Sequence, residues 1–247
     1  MTFKNFTFLI FPILLSSCGI YRPNVINVPL IQQKKMLQLG GHASFTGIEA
    51  QGSYSINNKI AIMGNFNYRP TKTKTYSHNN FTTYKHHFAE VGIGYYRNLP
   101  RNRVFEIFIL AGQGSTYTFD SFLKRGDWAT EIFKGKYNRF LLQTDFGWIK
   151  NKWRLAISSR IFMLEYFDVV DTAKDYSGII FTKNQLYAEG AFTLRCRISK
   201  HFDISSQLGM YVPLIDDLVN FDLERNSGLN TSLGLWYNFD FSKKSGE

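Results

Sequence analysis

One stretch near the end of the chain decides the fold: Asn230-Thr231-Ser232-Leu233-Gly234-Leu235-Trp236-Tyr237-Asn238-Phe239-Asp240-Phe241. Every second residue from Leu229 to Phe241 is apolar apart from Thr231, and the residues between them are polar or glycine apart from Trp236. A period of two residues is that of a β-strand with two different faces. Such a strand fits a soluble sheet or the wall of a membrane barrel, and its length and aromatic end favour the barrel wall.

The same alternation begins at Met36 and recurs along the chain in about ten strands. The connections after even-numbered strands are short, whereas those after strands three, five, seven and nine are longer and polar, at residues 69–84, 119–136, 168–183 and 215–226. Short turns at one end and long loops at the other are typical of outer-membrane barrels. The pattern predicts an all-β fold, a closed antiparallel up-and-down transmembrane β-barrel, with a soluble sandwich or lipocalin-like protein as the competing fold.

The composition agrees with a membrane protein that spans by strands. The 247 residues include 23 Phe and 14 Tyr, yet no stretch after residue 17 has the ~18 consecutive apolar residues of a membrane helix. Every backbone polar group within lipid must be paired inside the protein, so a membrane protein without such helices must be a closed barrel.

The first 17 residues are predicted to be a lipoprotein signal peptide. Lys4 precedes the apolar run from Phe6 to Leu15, which is too short to span a membrane. The following Leu15-Ser16-Ser17-Cys18 resembles the lipobox of bacterial lipoproteins, in which the chain is cut before the cysteine. This resemblance implies that Cys18 is lipidated; an ordinary secretory signal with an incidental cysteine is the alternative.

Residues 18–35 are predicted to be a lipidated extended tether, because Pro23 and Pro29 disfavour a helix. A cysteine followed by Tyr21-Arg22-Pro23-Asn24, an Asn-x-Pro segment and a first strand resembles outer-membrane β-barrel lipoproteins of the Bacteroidota kind. The resemblance implies a location and a fold, and it brings no catalytic residues with it. The barrel is predicted at residues 36–241, followed by a polar tail at 242–247.

Charge and terminal patterns predict the partners. The formal net charge of +10 falls to +9 once Lys4 leaves with the signal peptide. An exported lipoprotein meets no nucleic acid, so outer-membrane lipid and lipopolysaccharide are the expected counterparts. The run Ser232-x-Gly234-x-x-Tyr237-x-Phe239 resembles the C-terminal signal for barrel insertion, which implies insertion machinery as a partner, and Cys18 implies lipoprotein-sorting machinery. A monomer is expected, with the lipidated N-terminus on the periplasmic side, where the short turns lie.

Inward and outward faces of the predicted strands define two residue sets. The lumen charge network comprises Glu106, Arg139, Asp145, Arg154, Arg160, Glu189, Arg195, Arg197, Asp203 and Asp240, with Glu49 also inward. The membrane-interface girdle comprises Trp148, Trp153, Tyr237, Phe239 and Phe241. Ten strands make a barrel only slightly wider than the eight-stranded size that side chains fill, so paired charges are expected to plug the lumen. A lumen that conducts small solutes is the alternative.

No motif for an enzyme, a metal or a cofactor stands out. His42 and Asp168 are predicted near the extracellular rim, where some barrel hydrolases carry their catalytic groups, but they form no recognisable motif. Cys196 follows Leu194 on the outward face and is expected to contact lipid. The sequence therefore predicts a non-enzymatic barrel of structural, adhesive or binding character, with a small channel as the alternative.

Overall fold

The computed structural model describes residues 24–44, 47–75, 81–124, 127–172, 183–216 and 228–241. The signal peptide, Cys18 and the tail at 242–247 lie outside these residues. Ten strands follow one another along the chain: β1 (Met36–Ser44), β2 (Gly47–Ser55), β3 (Ile60–Thr75), β4 (Phe81–Leu99), β5 (Arg103–Lys124), β6 (Asp127–Lys150), β7 (Trp153–Asp171), β8 (Lys183–Arg197), β9 (Phe202–Asp216) and β10 (Gly228–Asp240). None of the described segments contains a helix with the length and apolar character needed to cross a membrane.

The strands form a closed barrel in which each strand is antiparallel to its neighbours in sequence. The ring closes between β1 and β10, where Met36 is opposite Asp240 and Ser44 is opposite Ser232. Every strand therefore has two partners, although the part of β3 beyond Tyr68 pairs with β4 alone. The predicted ten-stranded, antiparallel, up-and-down barrel is confirmed.

The wall of the barrel is much taller on one side than on the other. β1 and β2 have nine residues each, whereas β5 has 22 and β6 has 24. We call the end with the turns at 56–59, 100–102, 151–152 and 198–201 the short-turn end, and the other the long-strand end. β5 and β6 are thus about twice as long as the ~9–11 residues with which a tilted strand crosses a bilayer.

Two predicted loops are wrong because the strands continue through them. Pairing of β3 with β4 extends to Thr75 opposite Phe81, and pairing of β5 with β6 extends to Lys124 opposite Asp127. The predicted loops at 69–84 and 119–136 are therefore mostly strand. The apolar–polar alternation that identifies strands is weak in these stretches, which is why the sequence predicts loops there.

The alternation within the barrel places the exposed apolar side chains outward and most of the polar ones inward, together with a buried apolar cluster that includes Phe88, Phe108 and Phe162. Large exposed apolar residues occur on every strand from β1 to β10, including Val91, Ile109 and Leu233. Trp236, the exception on the polar face of the last strand, points inward and is almost fully buried. It packs against Arg195, whose guanidinium carbon lies 3.6 Å from the ring centroid, and its Nε1 donates to Ser205. Trp236 is thus part of the filled interior.

Candidate functional site

The most informative site lies inside the barrel and is built around its own N-terminal segment. Residues 24–31, which read Asn-Val-Ile-Asn-Val-Pro-Leu-Ile, are buried without exception among the side chains of the wall. We call them the luminal segment. The segment contains neither helix nor strand, and Leu30, directly after Pro29, has a left-handed backbone with a φ of 53°. The predicted tether is therefore wrong for these residues, because they fill the lumen.

Two buried carboxylates bind the N–H groups of the luminal segment. Glu49 accepts from the Val25 N–H through both oxygens, at 2.8 and 2.9 Å. Glu106 accepts from Leu30 at 3.1 Å and from Ile31 at 2.7 Å. Burial of a carboxylate is costly unless donors surround it, and charge-assisted bonds to N–H groups are among the strong ones. Glu49 and Glu106 therefore hold the two ends of the segment.

Amide and guanidinium groups of the wall bind the carbonyl groups of the luminal segment. Gln207 pairs with both polar groups of Ile26, accepting from its N–H at 2.8 Å and donating to its carbonyl at 2.9 Å. Gln51 donates to the Val25 carbonyl at 2.9 Å and Gln143 to that of Asn27 at 2.7 Å. Arg195 donates to the carbonyls of Val28 and Pro29. Side chains of the wall thus replace a neighbouring strand for a chain that has none.

Asn24 lies between two ion pairs of the lumen. Arg139 donates to its side-chain oxygen at 2.8 Å, and Arg160 donates to its backbone carbonyl at 2.8 Å. The two guanidinium groups are themselves paired at 2.5 Å, Arg139 with Glu90 and Arg160 with Glu189. The amide of Asn24 therefore bonds to groups that are already fixed in place.

Asn27 and the apolar residues of the segment fit equally specific surroundings. The Asn27 side chain donates to the Gly52 carbonyl at 3.2 Å and to the Asn65 side chain at 2.8 Å. The apolar residues Ile26, Val28 and Leu30 pack together with Ala156 and Ala191. A Cβ atom at Gly147 would lie 2.2 Å from Cδ2 of Leu30, so glycine is required there for the leucine to fit. Small wall residues thus make room for one extended chain.

The predicted network residues fall into an inner group and an end group. Eight of them are buried in the lumen: Glu106, Arg139, Asp145, Arg154, Arg160, Glu189, Arg195 and Asp203. Arg197 and Asp240 are only half-buried, at the short-turn end. Arg154 pairs with Asp203 at 3.0 Å, and Arg197 approaches the same carboxylate at 3.7 Å. Asp145 accepts from Gln143 at 2.8 Å.

The predicted lumen network is incomplete. It leaves out Glu90, and it leaves out the glutamines at 51, 143 and 207, which the alternation places on inward faces; all four are buried. Their signal was available, because they occupy the same alternating positions as the inward charges. The sequence of the luminal segment has no apolar–polar alternation. The segment contacts the barrel wall on all sides, so it has no separate polar face that would produce such a pattern.

The girdle residues lie on the outward face near the short-turn end. Trp148 and Trp153 flank the turn at residues 151–152, and about half of the Trp153 side chain is exposed. Tyr237, Phe239 and Phe241 form a continuous row at the end of β10, with the first two ring centroids 4.2 Å apart. Aromatic side chains in such a belt suit the boundary between lipid tails and head groups.

The two residues considered for catalysis have separate environments. His42 is buried in the lumen with its ring 5.4 Å from that of Trp236. Asp168 is exposed on β7 and pairs with Lys136 at 2.7 Å. Across the described residues, no cluster of His, Cys, Asp and Glu has the arrangement of a metal site. Cys196 is half-buried and a free thiol.

The buried pair between Arg154 and Asp203 supports a stability prediction. We expect Asp203→Ala to lower the free energy of unfolding by about 3–5 kcal/mol, because it leaves Arg154 charged and buried without its carboxylate. Asp168→Ala is the matched control, since it breaks an exposed ion pair and should leave stability nearly unchanged. Urea titration of the folded protein in detergent measures both midpoints, and equal midpoints would contradict the prediction.

Comparisons with known proteins add a likeness of fold. No protein-family model matches the chain, and no curated protein matches it. The translocator domain of the autotransporter NalP from Neisseria meningitidis is 11% identical, with a TM-score of 0.47 over 83% of this chain and 87% of that chain. The N-terminal β-barrel domain of Pseudomonas aeruginosa OprF is 10% identical, with a TM-score of 0.33 over 84% and 100%. The NanC porin is 11% identical, with a TM-score of 0.33 over 81% and 98%.

Proposed function

We propose that this protein is an outer-membrane β-barrel closed by its own N-terminal segment, with a structural, adhesive or binding role and no open pore. The observation that carries this proposal is the burial of residues 24–31 in the lumen. Eight wall side chains bind its backbone or Asn24: Glu49, Gln51, Glu106, Arg139, Gln143, Arg160, Arg195 and Gln207. A polar lumen with no chain inside it would instead offer a path for solutes.

The proposed membrane location is supported by the outward face. A water-soluble protein rarely exposes a contiguous apolar patch beyond a few hundred Å², whereas here exposed apolar side chains surround the barrel. In contact with lipid tails, unlike in contact with water, such an apolar surface carries no free-energy cost of exposure. Lipopolysaccharide and outer-membrane lipid are accordingly its proposed partners, together with the barrel-insertion machinery.

An arginine on the outward face tests whether that face meets lipid or water. Ile109 is 67% exposed and lies between the outward Ile93 and Leu142. In lipid, Ile109→Arg should cost about 2–4 kcal/mol of folding free energy, whereas a water-facing residue this exposed would tolerate arginine within about 0.5 kcal/mol. Thr130→Arg, at the long-strand end of β6, is the control for an added charge. Unfolding midpoints in lipid vesicles that coincide for both variants would contradict a lipid-facing Ile109.

We also propose lipidation at Cys18, on the basis of the sequence Leu15-Ser16-Ser17-Cys18. Acyl chains there would give firm membrane attachment. Metabolic labelling with a palmitate analogue tests this proposal. The parent chain should be labelled and a Cys18→Ser variant should not; equal labelling of the two would reject it.

The direction of the luminal segment bears on the side of the membrane that carries this lipid. Residues 35 to 24 run from the short-turn end toward Arg139 and Arg160, which lie well inside the barrel. Cys18 is six residues beyond Asn24, at most about 20 Å of chain. A periplasmic lipid would require these residues to turn back past a filled lumen, so we propose an anchor at the long-strand end. An epitope inserted after Gly19 should bind antibody on intact cells; binding only after permeabilisation would restore the periplasmic side expected from the sequence.

Conductance in a planar bilayer tests the closed lumen. The complete, folded protein should give no steady openings, because the luminal segment leaves no continuous water path. Folding is checked by the usual shift in gel mobility on boiling, since a closed barrel resists dodecyl sulfate until it is heated. Steady openings from protein that passes this check would favour the alternative function, a small-solute channel.

A further inference from the structure

We propose that the lumen is a binding site for an extended peptide, and that residues 24–31 are its resident ligand. This inference rests on the proposed closure of the barrel by the luminal segment. It adds that the luminal segment need not be joined covalently to the barrel, because the same wall would bind the same sequence supplied as a free peptide. The expected ligand class is an extended, uncharged peptide with asparagine at its first and fourth positions and leucine at its seventh.

The backbone contacts are those of a peptide receptor. Carboxylates accept from N–H groups at both ends of the segment, and amide or guanidinium groups donate to the carbonyls between them. Gln207 bonds to the N–H and the carbonyl of one residue, as a strand neighbour would. Pro29 has no N–H and so needs no acceptor at its position. These contacts recognise the direction of a chain and a backbone outside helix and strand, including the left-handed conformation at Leu30.

The side-chain contacts select a sequence. Asn24 binds between Arg139 and Arg160, and an alanine there would leave two buried guanidinium groups short of an acceptor. The side-chain amide of Asn27 donates to the Gly52 carbonyl and to the Asn65 amide oxygen. Both of these oxygens are acceptors, so a side chain without a donor could not replace Asn27. Leu30 occupies space that Gly147 leaves open. Two polar positions and one shape-matched apolar position therefore discriminate among peptides.

The connection between ligand and barrel is short and accessible. Residues 32–35 are exposed and contain no regular secondary structure, in contrast with the buried residues before them. They are held by few bonds, including those from Asn98 to the Gln32 carbonyl and from Ser55 to the Gln33 carbonyl. A cut at this linker would separate the luminal segment from β1 without touching the site.

The experiment uses the complete chain, folded before it is cut. A recognition sequence for a specific protease is inserted between Gln33 and Lys34, with Cys18→Ser so that no lipid retains the fragment. After cleavage, the fragment is exchanged for a fluorescent, end-capped peptide with the sequence of residues 24–33, and binding is followed by anisotropy. We expect saturable binding, at least tenfold weaker for a peptide carrying Asn24→Ala and Asn27→Ala, and weaker for a barrel carrying Gln207→Leu.

Each outcome decides the inference. Retention of the cut fragment through prolonged dialysis, or binding of the native peptide in preference to the doubly substituted one, supports a peptide site. Release of the fragment followed by no binding, or equal binding of both peptides, overturns it. Failure of the proposed closure of the barrel can be distinguished from failure of this inference. In that case the uncut chain would already conduct in a planar bilayer before any peptide is added.

Discussion

Deleting residues 20–31 should convert a silent barrel into a conducting one. Ten strands enclose more space than the eight whose interior side chains just fill a barrel, and here one extended chain occupies the difference. Without it, water reaches Glu49, Glu106 and Arg195 and hydrates the groups that the segment now satisfies. The backbone pairing of the wall is untouched, so we expect a folded barrel with steady single-channel openings in a planar bilayer.

A second variant separates the sequence of the segment from its length. Replacing residues 20–31 by a glycine–serine sequence of equal length keeps the chain and its attachment but removes Asn24, Asn27 and the apolar contacts. We expect this variant to conduct as the deletion does. Silence from both variants, with the heat-dependent mobility of a folded barrel, would mean that the wall charges close the lumen on their own, as the sequence predicts.

The substitution Gly147→Leu should drive the luminal segment out of an otherwise intact barrel. Position 147 faces inward on β6, and even its Cβ would overlap Cδ2 of Leu30. Forcing extra atoms into a filled interior typically costs about 1–3 kcal/mol, and the segment can relieve that cost by leaving while the wall cannot. The expected result is conductance together with exposure of the segment.

Thiol reactivity measures that exposure directly. Val28 is fully buried, so a Val28→Cys thiol, in a background with Cys18→Ser and Cys196→Ser, should resist a water-soluble maleimide. Adding Gly147→Leu should make it react at least tenfold faster. Gly190→Leu is the matched control, because position 190 is exposed on the outward face and a Cβ there makes only ordinary contacts. Equal reactivity in the two variants would contradict the role of Gly147.

The barrel could be predicted from sequence because lipid and lumen impose opposite chemistry on alternate residues. The alternation of apolar and polar residues identifies β10 from Leu229 onward. It also identifies β1, with which β10 pairs to close the barrel. It fails near Thr75 and Lys124, where the sequence no longer alternates between apolar and polar residues although the strands continue. It is also silent about Trp236, whose inward position is explained only by the guanidinium of Arg195 against its ring.

The luminal segment could not be predicted for a different reason. Its stability comes from contacts with residues far along the chain, such as Gln207, which is 181 positions from Ile26. Local pattern suggested only that prolines exclude a helix, which is true of a tether in water and of a chain in a lumen alike. The inward glutamines would have been a better guide, since uncharged amides lining a barrel invite a backbone to bond with them.

The barrel wall around the luminal segment also sets the order in which the contacts of the segment form. Glu49 and Gln51 come from the second strand to be made, whereas Gln207 comes from the ninth, and β1 pairs with β10, the last strand to be made. Contacts of such high sequence separation form late, because a long stretch of chain must be ordered first. An unfinished ring lacks part of the binding surface, so the segment gains its full set of partners only when every strand is in place. The luminal segment therefore fills the lumen fully only when all ten strands of the wall have formed.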